Sequence, residues 1–116
     1  MKILIDSIYI HNGGGKVLLD ILCNKIFETG DIDNYFFLFD ERYKPLIKFM
    51  DKDNYIHISP RESRRREFYK KNSKKFKRFL CFGNVPPPIR VDERVDIYFH
   101  NDLLLYPLNN NTSIIN

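Results

Sequence analysis

The chain has 116 residues, 43% hydrophobic and 29% charged, proportions of an ordinary folded domain that exclude disordered, collagen-like and disulfide-scaffold classes. At 14.0 kDa there is room for one layered core, which ten Phe and seven Tyr can fill without metals or cross-links. The formal net charge of +4 conceals an asymmetry: ten basic and two acidic residues stand between Arg61 and Phe79, a local surplus of eight, so the remainder is net acidic at −4.

In chain order, Lys2 to Ile8 opens with the uninterrupted apolar run Ile3-Leu4-Ile5, the signature of a strand covered on both faces. The turn His11-Asn12-Gly13-Gly14-Gly15 follows, then Lys16 to Phe27, where Leu18, Leu19, Ile21, Leu22, Cys23 and Ile26 form a wide helical face and Gly30 supplies the stop. Tyr35 to Phe39 is a second buried strand. Pro45 opens a short helix through Leu46, Ile47, Phe49 and Met50, and Tyr55 to Ile58 makes a third strand. Ser59-Pro60-Arg61-Glu62 matches a capping box, so the basic segment is expected to be helical from Pro60 for about 20 residues, or about 30 Å. Its apolar marks, Phe68, Tyr69, Phe76, Phe79 and Leu80, form a thin stripe. A fourth strand is expected around Leu80 to Gly83 and a fifth over Val95 to Phe99, joined by a rigid loop through Pro86, Pro87 and Pro88. This alternation predicts an α/β three-layer domain with a mainly parallel sheet over residues 1–108, with 109–116 as a polar tail. No apolar run spans a bilayer and no export signal opens the chain, so the expected location is cytoplasmic. Cys23 and Cys81 lack C-x-x-C spacing and are expected to be reduced core residues.

Three features can carry chemistry. Gly13, Gly14 and Gly15 lie between the first strand and its helix, where backbone without Cβ atoms can approach a ligand and N–H groups at a helix start favour phosphate. Lys16 is followed by Val17, so a Walker A loop is excluded, and Leu18 stands where a dinucleotide fingerprint needs its third glycine. A tight turn that needs glycine for its dihedrals is the bland alternative. Asp40, at the end of the second strand, keeps a nicotinamide-binding reading open as a ribose acid. His100-Asn101-Asp102 ends the fifth strand, at the edge where parallel sheets hold ligands and where Asp6 also lies; His100 suits hydrogen bonding or proton transfer there, against the plain alternative of a backbone-bonded histidine. His11 and His57 have no acidic partners at ligand spacing, so no metal site and no cofactor is expected. The basic segment, with Arg64, Arg65, Arg66, Lys70, Lys71, Lys74, Lys75 and Arg78, is either a solvated helix face, a contact for an anionic membrane surface, or a nucleic-acid contact, the last disfavoured because no RNP, helix-turn-helix or zinc-finger pattern accompanies it.

Met1 to Asp6, the turn Asn12-Gly13-Gly14-Gly15-Lys16-Val17-Leu18-Leu19, Phe82-Gly83-Asn84-Val85-Pro86-Pro87-Pro88 and Tyr98-Phe99-His100-Asn101, in this order, resemble the N-terminal half of bacterial GT-B glycosyltransferases of the group-1, family 4 type. The resemblance implies a Rossmann-like domain that shapes the acceptor side of a cleft. Gly13, Gly14 and Gly15 would face the donor diphosphate, His100 would lie near the donor sugar as the catalytic candidate, and Asn101 would shape the wall. Fixed dipoles and cations would stabilise the departing nucleotide diphosphate without a metal. The implied partners are a nucleotide-sugar donor, a glycan or lipid-linked acceptor and a C-terminal glycosyltransferase half. The family's donor-binding domain, with its E-x7-E motif, has no room in 116 residues, so the chain alone is expected to hold the donor weakly and to be inactive. Lipid-linked acceptors would suit a basic helix peripheral to the inner membrane face. The competing expectation is a non-catalytic Rossmann-like module that holds an anionic partner through that helix.

Overall fold

The computed structural model describes residues 1–45, 51–83, 85–98 and 112–115. Six strands, β1 (Lys2–Ser7), β2 (Tyr35–Asp40), β3 (Tyr55–Ile58), β4 (Phe76–Cys81), β5 (Arg94–Tyr98) and β6 (Thr112–Ile115), form one sheet in the order 3-2-1-4-5-6. Every pairing is parallel. Helix α1 (Gly13–Glu28) joins β1 to β2, and helix α2 (Glu62–Asn72) makes the crossover from β3 to β4. This is the doubly wound, Rossmann-like α/β/α arrangement.

The two faces of the sheet are filled separately, as alternation along each strand requires. On the α1 face Ile5, Phe37 and Phe39 pack with Leu19, Cys23, Ile26 and Tyr43. On the α2 face Leu4, Leu38, Phe79, Cys81, Val95 and Ile97 pack with Tyr69 and Phe76. Both cysteines are buried and unpaired, as their spacing predicts. Helix α1 stops as expected: the Asp31 and Gly30 N–H groups return to the Ile26 and Phe27 carbonyls, and Gly30 has φ +77°, the reciprocal pattern of a glycine-terminated helix.

Three expectations are corrected. The basic segment is not one long helix: α2 has 11 residues, a 3-10 turn covers Ser73–Lys75, and the strand begins at Phe76. Phe76 and Phe79 therefore belong to β4, where they fill the α2 face of the sheet; a stripe that crosses from helix to strand gives an irregular spacing when read as helix alone. Ser59 does not cap α2. Arg61 is the residue flanking its start, and the Arg61 carbonyl accepts from the Arg64 and Arg65 N–H groups at 3.0 Å. Finally, the segment 109–116 is not merely a polar tail, because Thr112–Ile115 pairs with β5 as β6. The helix expected after Pro45 falls on residues 46–50, outside the described residues. The loop between β4 and β5 runs without helix over its described residues, as its prolines predict.

Candidate functional site

Strand order reverses between β1 and β4: β1 connects to β2 on one side, while the crossover from β3 arrives as β4 on the other. Ligands of parallel sheets bind at the carboxyl ends of the strands beside such a reversal. The glycine turn lies there, because β1 ends at Ser7 and α1 starts at Gly13.

The three glycines are needed for different reasons. Gly13 has φ +65°, a left-handed conformation that favours glycine. A Cβ on Gly15 would stand 3.2 Å from Ile10 Cδ1, so its smallness lets the helix settle on the core. Gly14 has neither reason: its φ lies outside the left-handed range and an added Cβ would meet nothing within 4 Å. Glycine in the first turn costs helix stability relative to alanine, and the fold returns nothing for it. Asn12 makes no side-chain cap, no acidic residue occupies the first turn, and the first backbone bond of the helix runs from the Lys16 N–H to the Asn12 carbonyl at 3.3 Å. The starting N–H groups are therefore not capped by the Asn12 side chain, and among the described residues open space lies beside Gly13 and Gly14. Lys16 is drawn back along the helix to Asp20 at 2.7 Å, with its ammonium 5.8 Å from the Tyr43 ring centroid.

Immediately beside this open turn lies a closed polar cluster. Asp6, 2% exposed, receives the Arg65 Nε at 2.8 Å and the Tyr69 hydroxyl at 2.6 Å on Oδ2, and the Ile8 N–H at 3.3 Å on Oδ1. Arg65, 1% exposed, also donates to Glu62 Oε1 at 3.1 Å and to the Val85 carbonyl at 3.0 Å. Its guanidinium thus ties β1, α2 and the loop after β4 together. Burial works against its charge, yet the neighbouring Asp6 carboxylate raises its pKa further. Burial and Asp6 both push the Tyr69 hydroxyl up, and burial with Asp6 pushes the Cys81 thiol up to about 12, so these groups stay neutral and act as packing and hydrogen-bonding elements.

A second closed carboxylate is Asp40. Arg42 grips it with Nε on Oδ1 at 2.9 Å and Nη2 on Oδ2 at 2.8 Å, while the Arg42 and Tyr9 N–H groups donate to it at 2.9 and 3.1 Å. Burial alone would raise its pKa, but these donors hold the carboxyl below the usual carboxylate range. With its side chain shut from solvent and its oxygens occupied, Asp40 is not presented to a ribose, which removes the acid that the nicotinamide reading relied on.

Among the described residues, the sequence-based site residues do not all stand at one edge. Gly13, Gly14 and Gly15 stand at the expected edge. His100 and Asn101 fall outside the described residues; the strand that precedes them, β5, runs parallel to the others and leaves the sheet at the same carboxyl edge. The cationic set divides into three. Arg65 and Arg78 are structural: Arg65 is internal, and Arg78 lies on β4, where its Nη2 meets buried Asp96 at 2.5 Å. Arg64 and Arg66 are exposed near the carboxyl edge, where Arg64 pairs with Glu67 and Arg66 donates to the Pro88 carbonyl. Lys70, Lys71, Lys74 and Lys75, with Lys77, are exposed at the opposite, amino-terminal edge, because α2 runs antiparallel to the strands and delivers the chain to Phe76 beside Lys2. The signal for Arg65 was present in the sequence: positions 65, 68 and 69 share one helical face with two aromatics.

Comparison of the chain with protein-family models, with curated proteins and with solved structures produced no match. Among the described residues no group of three or more His, Cys, Asp or Glu side chains is disposed to hold a metal ion, and no helix is long and apolar enough to cross a membrane.

Proposed function

We propose that the chain is the acceptor-side, N-terminal half of a glycosyltransferase that moves a sugar from a nucleotide-diphosphate donor to a glycan or lipid-linked acceptor. The observation that carries this reading is Gly14. It is a glycine that neither backbone dihedral nor packing requires, placed at the start of a helix that the flanking Asn12 side chain does not cap, beside the reversal point of a 3-2-1-4-5-6 parallel sheet. A diphosphate is the ligand whose charge and oxygen acceptors suit such an array, through aligned helix dipoles and direct N–H donation. In this reading His100 and Asn101, which follow β5 in the chain, face the donor sugar, and a second domain supplies most of the donor affinity. Transfer needs no group beyond these dipoles and the second domain's cations to stabilise the leaving diphosphate.

The test is titration of the isotope-labelled chain with a uridine diphosphate sugar and with inorganic pyrophosphate, following the Gly13, Gly14 and Gly15 amide resonances. Saturable shifts confined to this turn are expected, with weak affinity for the single domain. Unchanged glycine resonances at millimolar ligand would refute the reading. In an enzyme assembled with its donor-binding half, Gly14→Val and His100→Ala are each expected to depress transfer strongly while the fold persists.

A second reading is favoured by the lysine group at the amino-terminal edge: a module that holds an anionic surface there, away from the glycine turn. Polybasic clusters gain about 1 kcal/mol per cation at an anionic membrane. Flotation with vesicles containing phosphatidylserine, but not with phosphatidylcholine alone, would support it; equal recovery from both would dismiss it.

A further inference from the structure

Tyr9 is the single non-glycine residue with positive φ among the described residues, at 81°. An aromatic L-residue held there costs about 1–3 kcal/mol and persists only when its surroundings over-determine it. They do so here through five contacts. The Tyr9 N–H donates to Asp40 Oδ2 on β2 at 3.1 Å, and its hydroxyl donates to Glu62 Oε2 at the start of α2 at 2.5 Å. On one side of it the Ile8 N–H is held by Asp6, and on the other the Ile10 N–H is held by the Ser7 carbonyl at 3.1 Å. The Ile8 carbonyl lies where a Cβ on Gly83 would come within 2.7 Å, so the loop after β4 braces it from the third side. Both carboxylates that hold Tyr9 are themselves held by guanidinium groups, Asp40 by Arg42 and Glu62 by Arg65.

The restrained segment is the five-residue link that sets where α1 begins, and its next apolar side chain, Ile10, sits directly under Gly15. We infer that Tyr9 is a positioning residue: its clamp between Asp40 and Glu62 fixes the link between β1 and α1 in one strained conformation and so holds the Gly13–Gly15 backbone in place before any ligand arrives. The inference rests on the diphosphate reading for its purpose, but not for its geometry. A turn ordered in advance binds an anion without the entropy cost of ordering it at that moment.

The test separates the two. Backbone order parameters of Gly13, Gly14 and Gly15 are measured without ligand, and pyrophosphate affinity is measured beside them, in the wild type, Tyr9→Phe, Glu62→Ala, Glu62→Gln and the double variant Tyr9→Phe with Glu62→Ala. Tyr9→Phe keeps the ring and loses only the phenol; Glu62→Gln keeps an acceptor oxygen. The expected result is glycine order near the rigid value of ~0.85 in the wild type and Glu62→Gln, a fall toward about 0.6 in Tyr9→Phe and Glu62→Ala, no further fall in the double variant, and a nearly unchanged thermal midpoint. Pyrophosphate affinity falls about threefold to tenfold with the order. Glycine order unchanged in both single variants would overturn the inference, whatever the affinity does. If the wild type binds no pyrophosphate while its glycine order responds as described, the diphosphate reading fails and the positioning role stands.

Discussion

At the carboxyl ends of β1 and β4 two polar regions lie side by side and behave oppositely. In one, Asp6, Arg65, Tyr69 and Cys81 bond to one another away from solvent. In the other, the first turn of α1 is not capped by the Asn12 side chain and, among the described residues, has open space beside Gly13 and Gly14. The closed cluster contains the more conspicuous chemistry, a carboxylate, a guanidinium, a phenol and a thiol, yet its chemistry is spent on joining β1, α2 and the loop after β4. The glycines of the open turn carry no side chain, yet the helix they start is not capped by Asn12. Availability, rather than reactivity, separates the structural cluster from the candidate site.

The contrast can be broken most forcefully at Arg65. Replacing it with methionine leaves Asp6 buried without its cation, and removal of one partner from a buried pair costs about 3–5 kcal/mol; urea unfolding of Arg65→Met should show a loss of that size, and a loss below 1 kcal/mol would mean that the cluster does not hold the crossover in place. A smaller effect is expected at Gly83, where a Cβ would meet the Ile8 carbonyl oxygen at 2.7 Å. Gly83→Ala should cost about 1–3 kcal/mol, as overpacking does, by the same measurement.

The closed region should also show in alkali. Burial holds the Cys81 thiol up at about 12, whereas in the unfolded chain it ionises near the ordinary value of about 8.5. A raised folded pKa contributes stability that is present below about pH 8.5 and is lost as pH rises toward the folded value. Urea midpoints measured from pH 7 to 10.5 should therefore decline, and Cys81→Ala, although less stable at neutral pH, should decline less steeply. Parallel declines would show that this thiol ionises as freely in the fold as outside it.

The smallest effect on stability, and the sharpest for the comparison, belongs to Gly14. Gly14→Ala should raise stability by about 0.5–1 kcal/mol, since alanine is the better helix former and nothing obstructs its Cβ, while weakening pyrophosphate binding. A stabilised variant with undiminished binding would show that the turn is glycine-rich without functional reason.

The sequence discloses these two regions unequally. The buried runs Ile3-Leu4-Ile5 and Tyr35 to Phe39 announce parallel strands because both faces must be apolar, and Gly30 marks the end of α1 because a left-handed terminus needs glycine. The glycine turn is equally plain, since the path from strand to helix is local in the chain. What stays hidden is whatever depends on contacts between distant segments. Arg65 shares a helical face with Phe68 and Tyr69, a local sign that it turns inward, but nothing local names its partner 59 positions earlier, Asp6. Asp40 reads as an available acid until the Tyr9 N–H, 31 positions earlier, is seen to join its neighbour Arg42 in occupying it. The change from α2 to β4 at Phe76 is masked because Phe68, Tyr69, Phe76 and Phe79 serve one continuous core from two kinds of element. Tyr9 offers no local signal at all, as its left-handed backbone is imposed from β2 and α2.

The central claim, that the carboxyl edge offers an anion its α1 start rather than its buried charges, is tested most directly by titrating inorganic pyrophosphate into the labelled chain and mapping every amide that moves. Saturable shifts are expected at Gly13, Gly14 and Gly15 with the Arg65 side-chain resonances still. Shifts centred on the Arg65 guanidinium or on the lysines at the other edge, with the glycines unmoved, would contradict it.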